Sequence, residues 1–162
     1  GVLATNEEAV RKLYDLKGRP ADKPLPIIVG DMDTLRSVVK HIPLYAEDLI
    51  RKFWPGPLTL IFDARDNISA LLTGGRGKVA VRIPGESIAL HLARTLRVPV
   101  TSTSANQSGQ PPAEETADIV NYFDGRIDLV IDGGKTPGGK PSTIVDVTVQ
   151  PPEVLREGSI VI

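Results

Sequence analysis

The stretch from Lys78 to Thr103 does the most to limit what this chain can fold into. Val79, Ala80, Val81 and Ile83 suit a buried strand, Ile88 to Leu96 has helical spacing, and Val98 to Thr103 returns to strand character. A strand, a helix and a strand in that order predict a right-handed parallel crossover. The surrounding pattern extends the mixture and predicts an α/β domain built on a twisted mixed sheet.

Proline and glycine, 14 and 15 in number, are spread along the 162 residues and not pooled in one linker. They predict many short elements joined by tight turns. Thr5 and Glu8 have capping-box spacing ahead of a helical stripe of Val10, Leu13, Tyr14 and Leu16, which Gly18 and Pro20 end. Pro26 to Val29 reads as a buried strand, and Met32, Leu35, Val38 and Val39 mark a helix. A further helix is expected from Leu44 to Phe53, a strand from Leu58 to Phe62 and a helical turn from Ser69 to Leu72. Thr116 to Phe123 reads as helix and Leu129 to Ile131 as strand. Ser142 to Val147 and Glu153 to Arg156 read as a strand pair across Pro151-Pro152. The length predicts a single domain over 1–162, or a domain with a piece missing, since the chain starts abruptly at Gly1 without an initiator Met.

The absence of cysteine excludes a disulfide framework and thiolate chemistry. Two histidines, His41 and His91, lack ligand spacing, so no protein-held metal site is expected. A formal net charge of -1 argues against binding nucleic acid by overall charge, though a local basic patch remains open. No apolar run could span a bilayer, and a cytoplasmic protein is the natural expectation.

Four segments could carry chemistry. Lys17, Arg19 and Lys23 put three cations within seven residues at a helix end. They suit phosphate or carboxylate, and equally the carboxyl end of a helix dipole. Thr101 to Pro111, with Ser104 and Asn106, follows an apolar run and should sit at a strand's carboxyl end, where α/β sheets bind ligands. The same residues also make ordinary polar turns. A serine nucleophile is disfavoured, because no base lies nearby and Gly-x-Ser-x-Gly is missing. Lys140 to Asp146, with Ser142, follows paired glycines without forming a P-loop or a dinucleotide fingerprint, and reads as a ligand loop or a hairpin loop. Arg82 sits inside an apolar strand, where it needs a partner: a carboxylate such as Asp146, or a bound anion. Trp54-Pro55-Gly56-Pro57 reads as a rigid structural corner.

The order of these segments is more distinctive than any one of them. Lys-x-Arg-Pro, Lys-Pro-Leu, Trp-Pro-Gly-Pro-Leu-Thr, Val-Arg-Ile-Pro, Thr-Ser-Ala-Asn, Ser-Thr-Ile-Val-Asp and Arg-Glu-Gly follow one another from Lys17 to Gly158. That series resembles the YrdC family of threonylcarbamoyladenylate synthases. Two departures stand out. Thr101-Ser102 precedes Thr103-Ser104-Ala105-Asn106, and the family's opening Pro-Thr-(Asp/Glu)-Thr-Val-Tyr-Gly-Leu segment, part of the threonine site, has only its tail here. The ending soon after Arg156-Glu157-Gly158 resembles the short members of the family.

The resemblance implies a YrdC-like twisted mixed sheet flanked by helices, with a large concave basic cavity. It implies a nucleotidyltransferase that joins L-threonine, bicarbonate and ATP, accompanied by Mg2+, into threonylcarbamoyl-AMP and pyrophosphate. The product would pass to tRNA threonylcarbamoyl-transferase proteins that modify the adenosine next to the anticodon, with tRNA or double-stranded RNA as a possible direct partner. Lys17 and Arg19 would be catalytic. With Lys23, Arg82, Ser104, Asn106, Ser142 and Arg156 they would bind ATP and substrate. The alternatives are a non-catalytic RNA-binding module and a YrdC-like paralogue acting on another acyl or carbamoyl substrate.

Overall fold

The computed structural model describes residues 1–123, 125–136 and 138–162. Its elements are α1 (Glu7–Lys17), β1 (Ile27–Ile28), α2 (Met32–Val38), α3 (Leu44–Phe53), β2 (Leu58–Asp63), α4 (Ala70–Thr73), β3 (Lys78–Arg82), α5 (Ile88–Leu96), β4 (Val100–Thr101), α6 (Thr116–Phe123), β5 (Thr143–Asp146) and β6 (Glu153–Arg156). The strands form one six-stranded sheet in the order β4-β1-β3-β2-β5-β6. The β1/β3 and β2/β5 pairs are parallel and the other three antiparallel, so the sheet is mixed as expected.

The local chemistry explains the helix ends. The first helix is capped by Asn6, whose side chain accepts from the Ala9 amide, and not by the expected Thr5. Asparagine is as good an N-cap as any residue, and it stands one position closer to the first helical turn. Gly18 stops the helix in the left-handed conformation, φ 57°, where a side chain would be strained. Asp31 caps α2 by accepting from the Thr34 amide, and that bond leads the effects holding its carboxyl below the usual range.

The expected parallel crossover does not form. β4 is antiparallel to β1, which is itself parallel to β3. One edge of β1 is taken by β3, and β4 fills the other in the reverse sense. There it also meets the start of the chain: the Thr101 amide donates to the Val2 carbonyl at 2.8 Å, and Leu3 bridges Val100. The crossover rule governs parallel strands, so it has no force once the ladder runs the other way. Leu129 to Ile131 is not a strand either. Leu129 and Ile131 are 77% and 52% exposed, and strand-like composition without a ladder partner makes no strand.

The sheet has two unlike faces. Along β3, Val79 and Val81 are buried while Lys78, Ala80 and Arg82 are only partly covered. The buried side continues through Leu58, Leu60, Phe62 and Val145, and packs against Val10, Leu35, Val38 and Leu72 in one core. On the other side α5 covers one end only, through Ala93 against Ile28 and Val100. That helix approaches the sheet closely because Gly30 has no side chain. A Cβ there would lie 2.7 Å from the Arg94 Cα. Gly30→Ala is therefore expected to destabilise the fold by about 1–3 kcal/mol, the usual cost of forced overpacking, read from urea denaturation midpoints.

Candidate functional site

The strand register places a row of residues across the open face. Val100 pairs with Ile28, Ile28 with Arg82, Thr59 with Ile144 and Ile144 with Arg156. Residues opposite one another on paired strands project from the same face. With α5 over Ile28 and Val100, the rest of the row runs from half-buried Arg82 through buried Thr59 to exposed Arg156.

At its far end three polar side chains meet. The Thr59 and Ser142 hydroxyls are 2.8 Å apart, and Arg156 donates to the Ser142 carbonyl from both Nε and Nη2 and to its hydroxyl from Nη2. The geometry depends on Gly158, because a Cβ there would collide with the Pro141 carbonyl and the Ser142–Thr143 backbone. Sequence reasoning missed Thr59 as a site residue. It lies within the Trp-Pro-Gly-Pro-Leu-Thr run, whose corner is plainly structural. There Trp54 Nε1 donates to the Leu58 carbonyl, and the Gly56 amide donates to the Ile83 carbonyl.

Arg82 does not pair with Asp146. Its Nε donates to the Gly56 carbonyl at 2.8 Å, and burial lowers its pKa below the ordinary arginine range. Asp146 instead takes Lys78 at 3.0 Å and accepts from the Thr148 amide and hydroxyl. Lys78 lies directly beside Asp146 in this network, whereas Arg82 is a full four residues further along β3.

A second cluster gathers around α1. Lys17 is only 4% exposed, and its Nζ donates to the Ser104 and Asn106 carbonyls at 2.7 and 2.6 Å. Burial, then the charge of Arg19, lowers its pKa from the usual lysine value. Arg19 donates to the Lys23 and Pro24 carbonyls, and Tyr14 places its hydroxyl 2.8 Å from the same Lys23 carbonyl. The Lys23 side chain is exposed. Asn106 donates to the Gln110 carbonyl, while its Oδ1 is buried without a hydrogen-bond partner among the described residues. An open buried acceptor is costly unless a donor reaches it. Beside this cluster lies a cavity of about 370 Å³, walled by Leu13, Leu16, Phe123 and Ile131 with Lys17 and Ser104 at its edge.

The structure thus joins Lys17 to Ser104 and Asn106, Arg19 to the Lys23 backbone, and Ser142 to Arg156. Arg82 stands between the groups, on the strand next to both β1 and β2. The reversed course of β4 matters here. Its exit lies at the entrance of β1, where the Ser102 amide donates to the Pro26 carbonyl. A parallel β4 would have carried the Ser104 loop to the opposite end of the sheet, away from Lys17. Among the described residues no group of three or more His, Cys, Asp or Glu could hold a metal ion, and no helix is long and apolar enough to cross a membrane.

A mixed α/β sheet with one face left partly bare, lined by hydroxyls and guanidinium groups, defines a domain suited to anionic ligands. The chain belongs to the Sua5/YciO/YrdC family, whose model, described as telomere recombination, matches residues 1–158. It is 41% identical over 160 residues to the threonylcarbamoyl-AMP synthase of Pyrococcus abyssi, covering 99% of this chain and 47% of that protein. It is 38% identical over 161 residues to the enzyme of the same name from Bacillus subtilis, covering 99% and 46%. The structure of P. abyssi Sua5 complexed with L-threonine superposes with a TM-score of 0.91 at 41% identity, over 98% of this chain and 46% of that one. The chain spans about half the length of these relatives.

The Lys78–Asp146 network has a pH signature. Burial works against the Asp146 carboxylate, but the Thr148 bonds and then Lys78 outweigh it and hold its pKa below the usual value. The network's stabilisation is thus present above the unfolded pKa of about 3.9 and is lost as pH falls from there through the lowered folded value. Asp146→Asn should lower the melting temperature at neutral pH and leave a shallower acid limb than the wild-type protein, as followed by circular dichroism between pH 7 and pH 2.

Proposed function

We propose that the protein containing this chain is an L-threonylcarbamoyladenylate synthase. The observation that carries the reading is the likeness to P. abyssi Sua5 in complex with L-threonine, joined to the donor-lined face described above. ATP, carrying Mg2+ with it as part of the substrate, threonine's carboxylate and a carbamate are all anions. They repel one another unless fixed donors hold them together, so positioning and charge neutralisation would supply most of the rate. The threonine amine adds to bicarbonate-derived CO2, and a carbamate oxygen attacks the α-phosphorus, releasing pyrophosphate.

In this reading the Thr59–Ser142–Arg156 group and Arg82 line the concave basic cavity. The Ser104 hydroxyl meets the nucleotide, and Asn106, its side-chain amide held by the Gln110 carbonyl, shapes the loop that carries it. Arg19 and Lys23 bring positive charge to the phosphates. The product then serves a transferase acting on tRNA in the cytoplasm.

The test uses the full-length protein and follows pyrophosphate. Release should require ATP, threonine and bicarbonate together, and release that persists at full rate without threonine would overturn the assignment. Arg156→Ala should lower kcat/KM by at least tenfold, the scale set by losing one charged hydrogen bond of about 1.5–3 kcal/mol, while the far-ultraviolet dichroism stays unchanged.

A further inference from the structure

A lysine beside a candidate phosphate-binding loop is expected to touch phosphate directly, but most of the bonding capacity of Lys17 is spent within the protein. An ammonium has three donors. Two of those on Lys17 are committed, at 2.7 and 2.6 Å, to the carbonyls of Ser104 and Asn106. The attachment is mutual, because the Ser108 amide donates back to the Lys17 carbonyl at 2.8 Å. The intervening Ala105 carbonyl accepts from the Ala113 amide. Three successive carbonyls of the loop are therefore satisfied within the protein.

This arrangement has a consequence for the loop's outer side. The Asn106 amide turns back onto the Ser104 carbonyl, which leaves the two amides before it as the loop's available donors, and successive free amides make a concave site for an anion. The Ser104 and Ala105 amides find no acceptor among the described residues. A compact ammonium suits the position, since the side chain is almost wholly buried and a bulkier guanidinium would have to displace the loop it holds.

We propose that Lys17 is a positioning residue: its ammonium clamps the Ser104 and Asn106 carbonyls, fixes the loop whose hydroxyl and amides meet the nucleotide, and does not itself touch phosphate. The step from loop to nucleotide rests on the synthase reading given above; the clamp does not.

Two measurements on the full-length protein decide it. The first is amide hydrogen exchange of Ser104 to Ser108 without ligand, with the Leu60 and Val81 amides as the reference for global unfolding. Lys17→Met should speed loop exchange at least tenfold relative to that reference, and Arg19→Ala should not. Unchanged loop exchange in Lys17→Met would remove the clamp. The second is ATP affinity by calorimetry. Lys17→Arg keeps the charge but should lose at least tenfold, as Lys17→Met does, and adding Ser104→Ala to Lys17→Met should cost less than twofold more. A Lys17→Arg protein that binds ATP within twofold of wild type, or full additivity with Ser104→Ala, would mean that Lys17 contacts phosphate directly. If the wild-type protein bound no ATP, the nucleotide reading would fall, and the exchange measurement alone would decide whether the clamp exists.

Discussion

A sheet covered fully on one face and partly on the other governs this molecule. The covered face holds the core, with Leu58, Leu60, Phe62, Val79, Val81 and Val145 packed under helices. Because side chains alternate along a strand, each core residue commits its neighbours to the bare face. The burial of Val81 turns Arg82 to that face, and Thr59, itself buried, lies on the same side by its pairing with Ile144. The polar row is thus set by the same alternation that builds the core. Moving β3 by one residue would bury Arg82 and expose Val79 and Val81.

Polar side chains on that face and around it are rarely left to find their own position. Arg82 is tied to Gly56, Arg156 to Ser142, and Arg19 to Lys23 and Pro24. In each case the acceptor is a backbone carbonyl, which is rigidly held. A cation oriented beforehand loses less side-chain entropy when an anion arrives than one that is free to wander. Lys23, whose side chain stays exposed, is the contrasting case.

Much of the fold was legible because it is local. The stop at Gly18, the helices Leu44–Phe53, Ile88–Leu96 and Thr116–Phe123, and the β5–β6 pair follow from periodicity and punctuation. The direction of β4 was not, since it depends on which edge of β1 is free and on a bridge to Leu3, far away in the chain. Nor was the failure of Leu129 to Ile131 to form a strand, for a strand exists only with a partner. The candidate site divides in the same way. Residue types and order singled out Ser142, Arg156, Lys17 and Ser104, and the structure joins Arg156 to Ser142 and Lys17 to the Ser104 carbonyl. The partners were not readable: charge alone offers Arg82 a carboxylate such as Asp146 or a bound anion, whereas the carbonyl of Gly56 accepts from it. Thr59 was hidden inside a run that also builds that corner.

The clamp at Lys17 joins groups 87 and 89 positions apart in the chain. Closing so long a segment costs conformational entropy that short-range helices never face, and contacts of such separation slow folding. The ladder between β1 and β4 also closes a long segment, and it carries the loop back toward Lys17. The corner therefore depends on long-range closure. A chain holding only its helices and central strands would lack this corner, so an ordered Ser104 loop is a mark of completed topology.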